Sequence, residues 1–230
     1  RIDGADDIER YVYDSEGARL RKYREFTAKS IVHTPEVRYL PADKPDAELR
    51  VIAAREPEHE YDVDHRGNLF YIRTNKGAKN FHVVTAPADD PSEKNWKEFV
   101  AHRPAVKVEN ISMFADHAAL SEWENGLQQI EIIDLKTNQH SRIQFPEPVY
   151  SAGLNANRVF NTSVLRYSYN SLVTPNSVFD YDMNTGKSTL LKQTEVPGGF
   201  DRANYKSERV FATASDGTKV PMSMVYRNGV

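Results

Sequence analysis

The sequence predicts an all-β protein, a β-propeller fragment of about four four-stranded blades. Three observations carry the prediction. Alternation of period two outweighs any helical stripe, turn-forming residues gather between the alternating runs, and an acidic turn recurs at nearly constant spacing.

Alternation is clearest at Leu69-Phe70-Tyr71-Ile72-Arg73, from Gln128 to Ile133, and from Val164 to Tyr169, where aromatic and β-branched residues concentrate. Such side chains fit a pleated, half-buried surface, so each run reads as a short strand. Between the runs, His65-Arg66-Gly67-Asn68 and Asn184-Thr185-Gly186-Lys187 supply residues that tight turns demand. Only Pro91 to Phe99 predicts a turn or two of helix, with Ser92 as its cap and Glu93, Lys94 and Lys97 following. Strands do not alternate with helices, which excludes a doubly wound sheet.

The repeat is a strand ending in an acidic turn with a second strand behind it. It occurs at Tyr39 to Asp43, Thr85 to Asp89, Ile132 to Leu135 and Phe179 to Met183; Asp43, Asp89, Asp134 and Asp182 lie 46, 45 and 48 residues apart. That period suits a four-stranded blade, which cannot bury both faces alone and stacks on its neighbours around an axis. Two packed sheets of a sandwich remain the alternative, although sandwiches rarely repeat one turn chemistry at one interval. In the turn Asp182 to Lys187, Asn184 and Gly186 are expected at positive φ, and in the turn Asp134 to Gln139 Asn138 stands where a glycine would serve.

After Leu190 to Thr194 the pattern breaks at Glu195-Val196-Pro197-Gly198-Gly199-Phe200, a boundary signal. Beyond it Arg209 to Ala214 and Val220 to Tyr226 flank Ser215-Asp216-Gly217-Thr218, which predicts a β-hairpin. The expected division is therefore residues 1–194 as a partial propeller, 195–205 as a linker and 206–230 as a separate hairpin.

Composition narrows the function. The chain has 230 residues, 33 acidic against 30 basic, and a formal charge of −3, too balanced to mark a nucleic-acid or anionic-membrane surface. Without cysteine it has no disulfide, thiolate nucleophile, thiolate zinc site or iron–sulfur cluster. No apolar run reaches the roughly 20 residues that span a bilayer, and residues 1–30 are charged rather than signal-like. A soluble chain without a visible targeting segment is expected.

Several stretches together resemble one family. They are Glu36 to Leu40, His59 to His65, Phe70 to Asn75, Gly77 to Phe81, Leu165 to Pro175, Leu191 to Gly198, and Tyr205 to Arg209 followed by Asp216 to Pro221. In that order they resemble the prolyl oligopeptidase family of serine peptidases, and within it the oligopeptidase B (protease II) group. The resemblance implies the second half of a seven-bladed propeller, with residues 206–230 opening an α/β-hydrolase domain that lies beyond this sequence. It further implies a cytoplasmic enzyme that hydrolyses short peptides after Arg or Lys without metal or organic cofactor, its propeller keeping folded proteins from the catalytic residues. The partners it implies are the hydrolase domain, the remaining blades and short basic peptides, with no nucleic acid and no membrane. One stretch departs: between Arg19 and Val32, Lys22 to Ser30 stands where a continuous apolar strand is expected.

A serine hydrolase of this kind needs Gly-x-Ser-x-Gly, a tight turn that exposes the hydroxyl beside oxyanion-binding amides. No such pentapeptide occurs in residues 1–230, so no catalytic residue is assigned. The richest polar constellation is Glu58, His59, Glu60, Asp62, Asp64 and His65. Its two histidines stand six apart in an alternating strand, not one helical turn apart, so no metal site is assigned. In a strand His59, Tyr61, Val63 and His65 share one face and Glu60, Asp62 and Asp64 the other. Near a propeller axis that second face would line a negatively charged channel suited to basic peptides, which makes Glu60, Asp62 and Asp64 the candidate substrate-binding residues. Lys76 to Asn80 lacks the Gly-Lys-Ser/Thr ending of a phosphate loop and reads as a hairpin turn. The cluster Arg19, Arg21, Lys22 and Arg24 reads as a solvated strand face, and Tyr167, Tyr169, Phe179 and Tyr181 as core packing. Two other function classes stay open: a stand-alone propeller-like binding module, and an orphan α/β-hydrolase, against which the missing elbow counts.

Overall fold

The computed structural model describes residues 8–13 and 19–25 as backbone, and residues 36–41, 44 and 46–229 in full. Asp43, one of the four repeat markers, and residues 26–32 of the departing stretch lie outside the described residues. The chain divides into two compact units, Arg1–Ala115 with Arg158–Asn161, and Asp116–Asn157 with Thr162–Val230.

In the first unit β1 (Ile8–Tyr13) pairs antiparallel with β2 (Arg19–Glu25), and β3 (Arg38–Tyr39) with β4 (Arg50–Val51). A complete sheet follows in sequential order: β5 (Tyr61–Arg66), β6 (Leu69–Thr74), β7 (His82–Pro87) and β8 (Lys97–Val100). Then comes β9 (Val106–Met113). Strand β6 is buried from Phe70 through Thr74, because both of its faces are covered. Its Phe70 and Ile72 join Tyr39, Ile52, Tyr61 and Val84 in a single apolar core. Tyr61 is the hub: its hydroxyl donates to the Ala53 carbonyl at 2.9 Å and accepts the Val37 N–H at 2.8 Å.

The second unit holds β10 (His117–Glu124), β11 (Leu127–Asp134) and β12 (Gln139–Arg142) in an antiparallel meander. A second complete sheet follows, β13 (Tyr150–Leu154), β14 (Val164–Ser171), β15 (Ser177–Asp182) and β16 (Lys187–Gln193), again in sequential order. Sequential antiparallel order is that of a propeller blade, and it sets aside the sandwich, whose Greek-key connections cross between sheets. Leu165, Tyr167 and Tyr169 are buried on one face of this sheet, where Tyr167 stacks on Phe179 at 5.3 Å and Tyr169 on Phe145 at 5.3 Å, as expected of core aromatics. Last comes the hairpin β17 (Tyr205–Thr213) and β18 (Lys219–Arg227), turning at Gly217 with φ 85°.

The acidic turns acquire a physical reason. Asp134 accepts the N–H groups of Lys136 and Thr137 at 2.8 and 2.9 Å, and Asp182 those of Asn184 and Thr185 at 2.8 and 3.1 Å. Each carboxylate satisfies donors that the turn leaves without ladder partners. The turns close on Asn138 (φ 56°) and Gly186 (φ 71°). Asn184 is not at positive φ, contrary to expectation, because the Asp182 carboxylate holds its N–H and only the closing residue need be left-handed. The third described marker, Asp89, caps the Asp90 N–H instead, at 3.1 Å. The helix expected from Pro91 to Phe99 shrinks to one 3₁₀ turn, Glu93–Asn95, and Lys97 to Phe99 belong to β8. Ser92 makes no capping bond there, and its hydroxyl donates to Asp90 at 2.6 Å.

Candidate functional site

The register of β5 (Tyr61–Arg66) sets the neighbours of Asp62 and Asp64, and Glu60 lies one residue before the strand. Asp62 lies opposite Arg73 and Asp64 opposite Tyr71, while Tyr61, Val63 and His65 lie opposite Thr74, Ile72 and Phe70. Just before the strand, Glu58 holds φ 63°, and Asn75 fixes the strand entry by donating to the Glu58 carbonyl at 2.8 Å and accepting the Glu60 N–H at 2.9 Å.

The three carboxylates meet different fates. Glu60 is exposed. Asp62, with a side chain 67% exposed, accepts from Arg73 Nη1 at 2.7 Å. Asp64 is engaged on both oxygens, one accepting the His65 N–H and the other the Met113 N–H, each at 2.7 Å. It ties β5 to β9 within the first unit, a structural task for a backbone donor that would otherwise lack a partner.

Arg73 is the residue the sequence reading passed over. Its guanidinium donates to Asp62 and, at 2.7 Å, to the Val108 carbonyl, and its plane lies 3.6 Å from the Phe81 ring centroid. Phe81 itself holds φ 62°, a left-handed conformation uncommon for a bulky side chain. A cation closing an otherwise apolar strand, Leu69-Phe70-Tyr71-Ile72-Arg73, was the available signal.

His59 and His65 do share a face, each against an aromatic ring. His59 stacks on Tyr61 at 5.2 Å with its Nε2 2.8 Å from the Thr74 hydroxyl, and His65 lies 5.7 Å from Phe70. Burial, and next the positive charge of Lys76, push the His59 imidazole below its ordinary range. Lys76 in turn bridges Glu56 and Glu93 at 2.8 and 2.6 Å, and its bond to Glu56 holds that carboxyl below the usual range. The segment Lys76 to Asn80 connects the antiparallel strands β6 and β7, as read from the sequence.

The second unit carries charged groups that the sequence reading did not single out. Glu122, fully buried, takes Arg142 Nη2 at 2.9 Å, and Arg142 also binds Glu124. Glu147 is 7% exposed; its Oε1 accepts the Thr174 hydroxyl at 2.6 Å and lies 3.0 Å from Arg202 Nη2. The signal for Glu147 was its setting between Pro146 and Pro148, which restrict the backbone on either side.

Sequentially ordered four-stranded sheets with Asp-capped outer turns define a β-propeller domain. The family model for the prolyl oligopeptidase N-terminal β-propeller domain matches residues 15–194. The chain belongs to the prolyl oligopeptidase family, in that propeller domain. It is 42% identical over 197 residues to dipeptidyl aminopeptidase BI of Pseudoxanthomonas mexicana, covering 85% of this chain and 27% of the relative. To protease 2 of Moraxella lacunata it is 31% identical over 205 residues, 89% of this chain and 29% of the relative. Among solved structures, oligopeptidase B from Leishmania major matches with TM-score 0.82 and 29% identity over 97% of this chain and 32% of that one. The closed form of oligopeptidase B from Trypanosoma brucei with covalently bound antipain matches with TM-score 0.82 and 27% identity over the same shares, 97% and 32%. The chain thus spans less than a third of the relatives it matches.

Proposed function

We propose that this chain is the gating, substrate-size-filtering part of a serine oligopeptidase whose full-length form hydrolyses short peptides after Arg or Lys. The observation that carries the reading is the match of residues 15–194 to the propeller domain of a peptidase family. In this reading residues 195–205 are the linker, and residues 206–230 open the α/β-hydrolase domain that supplies nucleophile, base and oxyanion donors. The propeller's work is physical: it admits an extended peptide, excludes a folded protein, and keeps bulk water from the reacting bond. Of the candidate channel carboxylates, Glu60 and Asp62 are the exposed ones and would face a basic peptide, whereas Asp64 already holds backbone. A cytosolic setting belongs to the same reading and rests on the family resemblance; among the described residues no helix is long and apolar enough to cross a membrane.

The test uses the full-length protein with fluorogenic Arg dipeptide amides, N-terminally free and N-terminally blocked. Turnover of both, abolished by a serine-directed phosphonate, with folded proteins left intact, is the expected result. The 42% identity to a dipeptidyl aminopeptidase favours a second reading, release of N-terminal dipeptides. Turnover of the free amide alone would select it, and no phosphonate-sensitive turnover of either would overturn both readings.

A further inference from the structure

Residues 200–228 form one stapled piece. Asp201 accepts the Ala203 N–H at 2.9 Å, the Asn228 amide donates to the Ala203 carbonyl at 2.6 Å, and the Asn228 N–H donates to the Asn204 carbonyl at 2.8 Å. Phe200 stacks on Tyr205 with ring centroids 5.5 Å apart. Between β16 and this piece runs a wholly exposed segment in which Gly198 and Gly199 hold φ of 87° and 85°. Backbone of that kind is open to glycine and strained for other residues, which makes the segment a natural pivot.

Among the described residues two polar contacts, both inside the second unit, seat the piece. Arg202 meets Glu147 in the connection between β12 and β13, and Arg209 donates to the Asn125 carbonyl in the turn between β10 and β11. Asn125 and Gly126 hold φ of 52° and 74°, as a two-residue hairpin loop between β10 and β11 requires, and a Cβ on Gly126 would lie 3.3 Å from Arg209 Nη2. Apolar burial contributes little, since Phe200, Phe211, Val220 and Met222 remain 40–54% exposed. The Glu147 carboxylate is buried, and its Oε2 has no hydrogen-bond partner among the described residues. Losing Arg202 therefore strands a desolvated charge, which makes this contact stronger than an ordinary surface pair.

We infer that Arg202–Glu147 and Arg209–Asn125 are a breakable polar clamp that holds residues 200–228 on the loops of the second unit and, when released, lets them swing about Gly198-Gly199. Its consequence for catalysis rests on the proposed function: if the hairpin leads the hydrolase domain, Arg202 and Glu147 are positioning residues that set how that domain sits over the gating loops.

The experiment is hydrogen exchange across residues 195–204 of the full-length protein, in the wild type, Arg202→Gln, Glu147→Gln and the double variant, with peptide turnover measured alongside. Arg202→Gln is expected to accelerate exchange there about tenfold, with no further gain in the double variant, and the amides of 164–182 unchanged. Arg202 is half exposed, so its variant keeps the test decisive even if Glu147→Gln fails to fold. Exchange in Arg202→Gln equal to wild type, fully multiplicative effects in the double variant, or equal acceleration over 164–182 would each overturn the clamp. Unchanged exchange with ordinary serine-peptidase turnover rejects the clamp and leaves the proposed function standing. Faster exchange with peptide turnover unaltered keeps the clamp and rejects its consequence for catalysis.

Discussion

Arg73 shows how much one side chain organises. Its fork engages Asp62 and the Val108 carbonyl while its plane covers Phe81, so charge, directionality and flatness are all used at once. Arg73→Met is expected to cost about 2–3 kcal/mol, from the lost bonds and the cation–π contact. Arg73→Lys should recover little of it, since an ammonium reproduces the charge and not the fork. Urea denaturation of the full-length protein checks this, and a fully stable lysine variant would show that charge alone matters. His59 gives a pH prediction. Its folded pKa lies below its unfolded value near 6.5, so the unfolded chain binds the extra proton. The neutral ring's contribution is complete above that value and is lost as pH falls below about 6.5 towards the folded pKa. His59→Gln should flatten the fall in stability as pH drops below about 6.5 relative to wild type, with His82, also lowered by burial, supplying the residual slope. Identical slopes in the two proteins would remove His59 from the account.

At the scale of elements, the outer turns were the most legible feature. Asp at the strand end, then a turn closed by Asn or Gly, is a local pattern whose parts touch each other, so the sequence carries it whole. Asn138 bears a left-handed φ of 56° that asparagine tolerates and β-branched residues do not. Asn138→Val should therefore cost about 1–2 kcal/mol and Asn138→Gly nothing or slightly less than nothing, measured as shifts in thermal midpoint. Equal midpoints for the valine and glycine variants would contradict a left-handed closing residue. The backbone N–H groups of Thr137 and Lys136 hold the Asp134 carboxyl below its usual range, so its contribution is present above about pH 3.9 and lost on further acidification. The 3₁₀ turn at Glu93–Asn95 was less legible: Ser92, read as a cap, makes no capping bond and donates its hydroxyl to Asp90.

For the whole molecule, a run of blades without the rest of its ring leaves sheet faces and edges without neighbours. Strand β16 is exposed at every position, Leu190 and Leu191 included. The isolated 230-residue chain is expected to oligomerise or aggregate, whereas sedimentation as one monodisperse monomer with a two-state melt would mark a self-sufficient module. The same isolated chain should not turn over an Arg dipeptide amide, and phosphonate-sensitive activity would reveal a nucleophile that its sequence pattern does not announce.

By itself the sequence determined strands such as β6, β11 and β14 and the capped turns at Asp134 and Asp182, because alternation, Asp-capped turns and glycine at positive φ are decided by neighbours along the chain. It also placed Asp62 and Asp64 on one face of β5, with Glu60 just before the strand, for the same local reason. What those carboxylates do was decided only by tertiary structure: Met113 and Arg73, 49 and 11 residues away, claim Asp64 and Asp62. The meeting of Arg202 with Glu147, and of Arg209 with Asn125, 84 residues apart, was likewise set by packing. Periodicity along a strand says which face a side chain takes, and only the stacking of sheets says what waits there.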